Sequence, residues 1–279
     1  MKPHKHLVFT ANHFTDESDL PFNPADYSRF KYGSKDIARK FGQELANKFI
    51  KSPNFHKYYQ QLVDGMQIVV ITSPYMYIPT ATYAMKDYFV AELNDMLIDL
   101  EINPVQESKI YRTLSYNADY GAMTLEDRRL AISGDEFHID RDFVKGKLVL
   151  FVDDIKITGA HEERVQSMVD RLKLNCDYMY LYYAKLDNPE TQPQIENFLN
   201  YYAIKDLLDI NKIIKDEDFI YNTRVVKYIL NASHDQCKPF LDYQSSTFKS
   251  TLYRYAIGNG YHKMPEFEKN LKYLRKLIK

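Results

Sequence analysis

Between residues 146 and 162 the chain reads Gly-Lys-Leu-Val-Leu-Phe-Val-Asp-Asp-Ile-Lys-Ile-Thr-Gly-Ala-His-Glu. An apolar run over 148–152 ends in two adjacent carboxylates, Asp153 and Asp154. Thr158 and Gly159 follow within a short loop, and a helical pattern starts at once behind them. At the carboxyl end of a parallel strand, ligands sit in the crevice outside the sheet. A loop running into a helix N-terminus offers free N–H groups and a positive dipole end, which suits a phosphate. Gly159 lets the backbone approach a ligand without a Cβ in the way, and Thr158 adds a hydroxyl donor. Asp153 and Asp154 are placed to accept from ribose hydroxyls, directly or through metal-bound water. Two adjacent carboxylates repel unless a sugar, Mg²⁺ or a base relieves them, and Mg²⁺ favours such oxygens together with substrate phosphates. The chemistry implied is recognition of a phosphorylated sugar. An ordinary acidic strand exit followed by a turn is the plainer alternative; the Thr-Gly pair and the immediate helix start weigh against it.

Periodicity supplies elements to position these residues. Behind Ser34, a good N-cap, Ile37, Phe41, Leu45 and Phe49 recur at helical spacing. Residues 21–33 read as an irregular entry segment, and 55–63 as a short helix. Residues 66–71 form a β-rich apolar run, followed by a helix over about 80–100 carrying Tyr83, Phe89, Val90, Leu93 and Leu97. A strand is expected over 108–112, a polar loop or lid over 113–128, and a hairpin over 130–139. After the buried strand at 147–152 come a helix with Val165, Met168, Val169 and Leu172, and a strand over 177–183. Strands alternating with helices across 66–184 predict an α/β fold with a parallel sheet and helices on both faces. Beyond Asp187-Asn188-Pro189 helical periods dominate, ending in an amphipathic segment with Phe267, Leu271, Leu274 and Ile278. The expected organisation is an N-terminal segment and helix over 1–60 packing on the core or hood, a core over 61–188, and a helical region over 189–279.

Composition narrows the classes. The 279 residues carry 37 Lys+Arg against 38 Asp+Glu, a net charge of −1, which disfavours a whole-chain electrostatic nucleic-acid binder while leaving a local basic groove open. Hydrophobic residues at 45% and charged residues at 27% fit a globular chain and not a disordered one. Cys176 and Cys237 are too few for a disulfide scaffold or a cysteine zinc cluster, and fit a reducing cytoplasm. No apolar run approaches the ~18 residues of a membrane helix. A cytoplasmic protein is expected, with no membrane partner.

The segment from 148 to 161 resembles the phosphoribosyl-pyrophosphate (PRPP) motif of type I phosphoribosyltransferases, carried by the strand at 148–152 and by Asp153, Asp154, Ile155, Thr158, Gly159 and Ala160. Ile157 stands where the family usually has Thr, or an Asp serving as base in the purine enzymes. His161 stands where a second phosphate-contacting Thr is common. Phe30-Lys31-Tyr32-Gly33 with Ala38, Leu45 and Ala46, and Glu126-Asp127-Arg128 ahead of the expected hairpin, are loosely similar to ComF-like members. The resemblance covers about residues 28–185.

This resemblance implies transfer of a phosphoribosyl group to a base-like acceptor with pyrophosphate release, and Mg²⁺ as cofactor held indirectly by Asp153 and Asp154. It assigns Asp153, Asp154 and Arg112 to catalysis. Ile155, Lys156, Thr158, Gly159, Ala160 and His161 become the PRPP loop; Ser73, Tyr75 and Tyr77 the pyrophosphate loop; Arg128 and Arg129 lid cations; and Tyr182 and Tyr183 base-stacking side chains. The pyrophosphate loop of the family usually carries Gly, Arg or Lys, whereas 72–77 has none and Pro74 lacks an N–H donor. The alternative is a non-catalytic protein that binds PRPP or a nucleotide and has a regulatory or defence role exerted through its helical C-terminal part. A homodimer or protein partner through 189–279 stays open.

Overall fold

The structure is a computed structural model and describes residues 7–112, 137–188, 190, 194–216 and 218–279. The expected lid, Arg128, Arg129, the Glu126-Asp127-Arg128 feature and most of the expected hairpin lie outside the described residues.

Five parallel strands form the sheet in the order β1-β7-β6-β2-β3. They are β1 (Leu7–Phe14), β2 (Ile68–Thr72), β3 (Gln106–Glu107), β6 (Leu148–Lys156) and β7 (Asp177–Leu186). The short β4 (Tyr111–Arg112) and β5 (Phe137–His138) pair antiparallel beside it. The sequence reading places residues 1–60 outside the sheet, yet Leu7–Phe14 is its edge strand, in register with Met179–Leu186 of β7. At the far edge β3 is pinned by Lys86, a buried lysine that pairs with Glu107.

Strand alternation divides the core by sheet face. Ile68, Val70, Leu148, Leu150, Val152, Leu181 and Tyr183 meet α2 (Lys35–Ile50) and α5 (Ala81–Asp99) on one face. On the other, Val69, Ile71, Val149, Phe151, Tyr180 and Tyr182 meet α7 (Ala160–Leu172). Gly42 makes the α2–α5 contact close, since a Cβ there would lie 2.3 Å from the Met85 carbonyl. Segment 21–33 is not irregular: Pro24–Lys31 is a helix, α1, capped by Asn23, whose Oδ1 accepts from Ala25 N–H at 2.8 Å. Asn before Pro at the first helical position is a strong start signal. Residues 55–63 divide into α3 (Pro53–His56) and α4 (Tyr59–Val63), and α6 (Arg141–Val144) is a single turn before β6.

Among the described residues, six α-helices follow β7: α8 (Ile195–Asn200), α9 (Leu207–Asp216), α10 (Thr223–Asn231), α11 (His234–Tyr243), α12 (Ser246–Gly258) and α13 (Pro265–Leu277). Their apolar faces make a second core that takes in Tyr32 and Ile78 from the first half of the chain. Backbone bonds join the two parts. Lys35 N–H donates to the Asp218 carbonyl at 2.8 Å, and Ile220 N–H to that of Gly33 at 2.9 Å. Gly33 has φ +97°, and a Cβ on it would lie 2.4 Å from the Ile220 carbonyl oxygen, so both conformation and space require glycine there. Among the described residues no helix is long and apolar enough to cross a membrane.

Candidate functional site

Strands β2 and β6 are neighbours, and their connections diverge: α5 leaves β2 on one face, and α7 leaves β6 on the other. That is a topological switch point, where open parallel sheets bind ligands beyond the strand ends. A cleft of about 600 Å³ lies there. Its floor is the end of β2, the end of β6 and the first turns of α5 and α7; its opposite wall comes from α8 to α11. The C-terminal helices thus form a hood over the strand ends.

Strand β6 runs on to Lys156, four residues beyond the strand expected from sequence. Both acids therefore lie on a strand and face opposite sides of the sheet. Asp153 Oδ1 accepts from Ser73 Oγ at 2.8 Å, from its neighbour's N–H at 3.0 Å and from Thr82 Oγ1 at 3.2 Å. Its Oδ2 lies 2.8 Å from His161 Nδ1. Burial pushes the Asp153 carboxyl up, but the His161 hydrogen bond and charge, with the Ser73 donor, outweigh it and hold the group well below the usual carboxylate range. An ionised Asp153 assigns the Nδ1 proton to His161.

Asp154 is only 4% exposed. Its Oδ2 accepts from Tyr27 OH at 2.6 Å and from Lys31 Nζ at 2.5 Å, both from α1; its Oδ1 accepts from Thr82 Oγ1 at 3.0 Å. Burial raises its pKa, the Lys31 ammonium lowers it, the Asp153 charge raises it again, and the net shift is upward. Tyr27 is fully buried and pushed well above its ordinary pKa by burial and the Asp154 charge, so it remains a neutral donor. Neither Tyr27 nor Lys31 is assigned a site role by the sequence reading, although the Asn23-Pro24 start signal places them three residues inside a helix and at its end.

The loop between β6 and α7 is only 157–159. Gly159 is the N-cap of α7 with φ +76°, a left-handed conformation that disfavours any side chain. Only Lys156 Cε, at 3.5 Å, borders the place a Cβ would take, so the loop is open toward the cleft. Thr158 Oγ1 accepts from Ala160 N–H at 3.4 Å. Lys156 pairs with Glu162 at 2.7 Å, and Tyr182 OH donates to the same carboxylate at 2.9 Å.

The cleft gathers most of the sequence-derived residues: Asp153, Asp154, Ile155, Lys156, Thr158, Gly159, Ala160 and His161, with Arg112, Ser73 and Tyr182. Three others lie elsewhere. Tyr183, one residue on from Tyr182, faces the opposite side of the sheet, stacked on Phe41 with centroids 4.2 Å apart and its hydroxyl on Glu44. Tyr75 is edge-on to Tyr83, with the Lys109 ammonium over its ring. Tyr77 lies against Gly258 and Tyr255 of α12. Of the expected pyrophosphate-loop side chains, Ser73 alone reaches the cleft.

A Mg²⁺ held directly by the protein does not fit this donor set. All four carboxylate oxygens already accept from protein donors. Among the described residues no three His, Cys, Asp or Glu side chains are arranged to hold a metal ion.

The family described as PRTase ComF-like matches residues 6–274. The chain belongs to this ComF-like phosphoribosyltransferase family. The family match runs through the helical region as well as the sheet, well past the 28–185 that the motifs alone cover. No curated protein matches the chain. Among solved structures, it is similar to a Staphylococcus aureus hypoxanthine phosphoribosyltransferase at 7% identity, over 57% of this chain and 70% of that one, TM-score 0.34. It is also similar to Trypanosoma cruzi hypoxanthine phosphoribosyltransferase, at 17% identity over 57% and 72% of the two chains, TM-score 0.33. A further structure of the trypanosomal enzyme, in complex with the product IMP, aligns at 16% identity over 57% and 74%, TM-score 0.33.

Proposed function

We propose that this protein binds PRPP and transfers its phosphoribosyl group to a base-like acceptor, releasing pyrophosphate. The observation that carries the reading is the juxtaposition of an ionised Asp153 with the open Thr158-Gly159 loop and the N-terminus of α7, all at the switch point of a parallel sheet. The 5-phosphate would sit on the N–H groups of residues 158–161. In the transfer, the bond from ribose C1 to the diphosphate oxygen breaks with its electron pair leaving on the diphosphate, a bond from C1 to an acceptor nitrogen forms, and the proton of that nitrogen passes to solvent. The transition state resembles a ribosyl oxocarbenium ion, and Asp153, held ionised beside the ribose, stabilises its positive charge. Arg112 meets the leaving diphosphate, and Tyr182 borders the acceptor. Mg²⁺ would arrive with the diphosphate and offset its charge.

Two observations favour a second reading, a PRPP or nucleotide sensor without turnover that acts through its helical part. Asp154 is engaged by Lys31 and Tyr27, and residues 73–79 hold no charged side chain. Calorimetric titration with PRPP, with and without Mg²⁺, followed by a pyrophosphate-release assay over a nucleobase panel, separates the readings. Saturable binding that weakens at least ~10-fold in Asp153→Asn, the scale of one charge-assisted hydrogen bond, is the expected result. Release with one base supports transfer, and binding without release supports the sensor. Binding that is indifferent to Asp153→Asn removes the site assignment.

A further inference from the structure

The hood is fastened to the end of the segment that follows β2. Thr223 donates its N–H to the Pro79 carbonyl at 2.8 Å and its hydroxyl to that of Ile78 at 2.8 Å. The N–H groups of Tyr77 and Ile78 both donate to Asn259 Oδ1 at 3.1 Å. Asn222 caps α10 through Oδ1, 3.0 Å from Val225 N, while its Nδ2 donates to the Lys31 carbonyl at 3.1 Å. Helix α10 therefore starts on the loop 73–79 and beside the end of α1.

From that anchor its two faces part. Val225, Val226, Ile229 and Leu230 are buried in the C-terminal core. Arg224, Lys227, Tyr228 and Asn231, at helical spacing, line the cleft. The helix contains no acid. Glu196 and Asp206 also line the hood side, with Lys205, so the local balance is positive because of α10. The charge of Arg224 is felt at the Tyr27 hydroxyl, where it opposes that of Glu196; it stands within electrostatic reach of the motif acids.

The loop itself reads Ser-Pro-Tyr-Met-Tyr-Ile-Pro. It offers no cation, two of its positions lack an N–H, and its tyrosines face away from the cleft. We infer that Arg224 and Lys227 of α10 hold the diphosphate of PRPP in place of cations on this loop, so that the C-terminal helices complete the substrate site. The inference rests on the PRPP reading above. A guanidinium in the first turn and an ammonium one turn on suit a bridged pair of phosphates, the first by its planar fork and the second as a point charge.

The test titrates the full-length protein with three probes: PRPP, ribose 5-phosphate and inorganic pyrophosphate. Arg224→Gln/Lys227→Gln should weaken PRPP and pyrophosphate by ~100-fold or more, the scale of two charge-assisted hydrogen bonds. Ribose 5-phosphate should move less than about threefold, since the effect of charge lost away from its subsite is screened. Arg275→Gln/Lys276→Gln, which removes the same charge from the exposed end of α13, should change none of the three. Arg224→Lys keeps the charge but not the fork and should weaken PRPP and pyrophosphate clearly less than Arg224→Gln does, a graded response that a variant which merely folds poorly would not give. The inference is overturned if PRPP and ribose 5-phosphate weaken together, or if pyrophosphate binding is indifferent to both α10 residues. The PRPP reading is scored separately, by ribose 5-phosphate against Asp153→Asn. If that reading fails while pyrophosphate still needs Arg224 and Lys227, the diphosphate site stands alone.

Discussion

Asp153 and Asp154 are adjacent in the chain and opposite in circumstance. Asp154 shares a buried pocket with the Lys31 ammonium, their side chains 6% and 12% exposed. Removing one member of such a pair strands the other. Asp154→Asn should destabilise the fold by about 3 kcal/mol in urea denaturation. The triple variant Tyr27→Phe/Lys31→Met/Asp154→Leu should recover most of that loss, because it removes the ammonium and the Tyr27 hydroxyl together with the carboxylate they bond, and an apolar group of similar volume is often neutral where the single change is not. Asp153 contributes to the acid response. Its folded pKa lies below its ordinary value of 3.8, so its contribution to stability is present above that value and is lost as pH falls through the lower folded one. Asp154 has the opposite sign: with its folded pKa raised, the fold binds the extra proton, and stability falls as pH climbs from 3.8 through the raised value. The urea midpoint of Asp153→Asn should accordingly decline less steeply below about pH 4 than that of the wild type, and an unchanged acid limb would remove Asp153 as a contributor to it.

The elements that hold these residues depend on close backbone approach. Ala38, Gly42 and Ala46 repeat every four residues along the buried face of α2, and Gly42 brings that helix onto the backbone of α5. In Gly42→Ala the new methyl would also lie 2.8 Å from Phe89 N. Neither contact can swing aside, so the helices must separate, at a cost of roughly 1–3 kcal/mol or more. Because α5 carries Thr82 to both acids, the same variant should weaken PRPP binding as well as lower Tm. At Gly159 the reason for glycine is different. Space is open there, so Gly159→Ala should cost about 1–2 kcal/mol, from the left-handed backbone alone. The motif strand, its loop, α2, α5 and α7 are legible in the sequence because periodicity and punctuation agree over long stretches. Strand β1 is less so: its pattern is local, but its partner β7 is remote. The role of the hood is not legible at all, since α10 reads as an ordinary amphipathic helix, and its polar face acquires meaning only when Thr223 lands on Ile78 and Pro79. Tyr182 and Tyr183 show the remaining ambiguity: alternation says that one faces each way, and the position of α7 decides which.

At the scale of the molecule, Tyr32 is a side chain of the first half that is buried in the core of the second. It follows α1, is fully buried, and sits edge-on to Tyr228 at 5.1 Å and tilted to Tyr201 at 6.1 Å. Tyr32→Ala should cost about 3–5 kcal/mol, the scale of emptying a large aromatic site. With Gly33 locked against Ile220, the halves should also unfold together. Far-UV circular dichroism and tyrosine fluorescence are expected to report one coincident transition, and two resolved transitions would mean that the seam between the halves is weaker than its contacts suggest.

The placement of β1 beside β7 bears on how the protein is made. Synthesis delivers Leu7–Phe14 early, whereas Met179–Leu186, its one neighbour in the sheet, emerges later by on the order of ten seconds or more at ordinary elongation rates. Through that interval an apolar strand leaves the ribosome with its hydrogen-bonding edge open, a state prone to wrong pairing. The sheet is sealed only when the last strand arrives, and the hood that walls the cleft is translated after that. The cleft thus comes into being only after β7 and the hood residues up to Gln236 have been made, and a nascent chain cannot complete it before then.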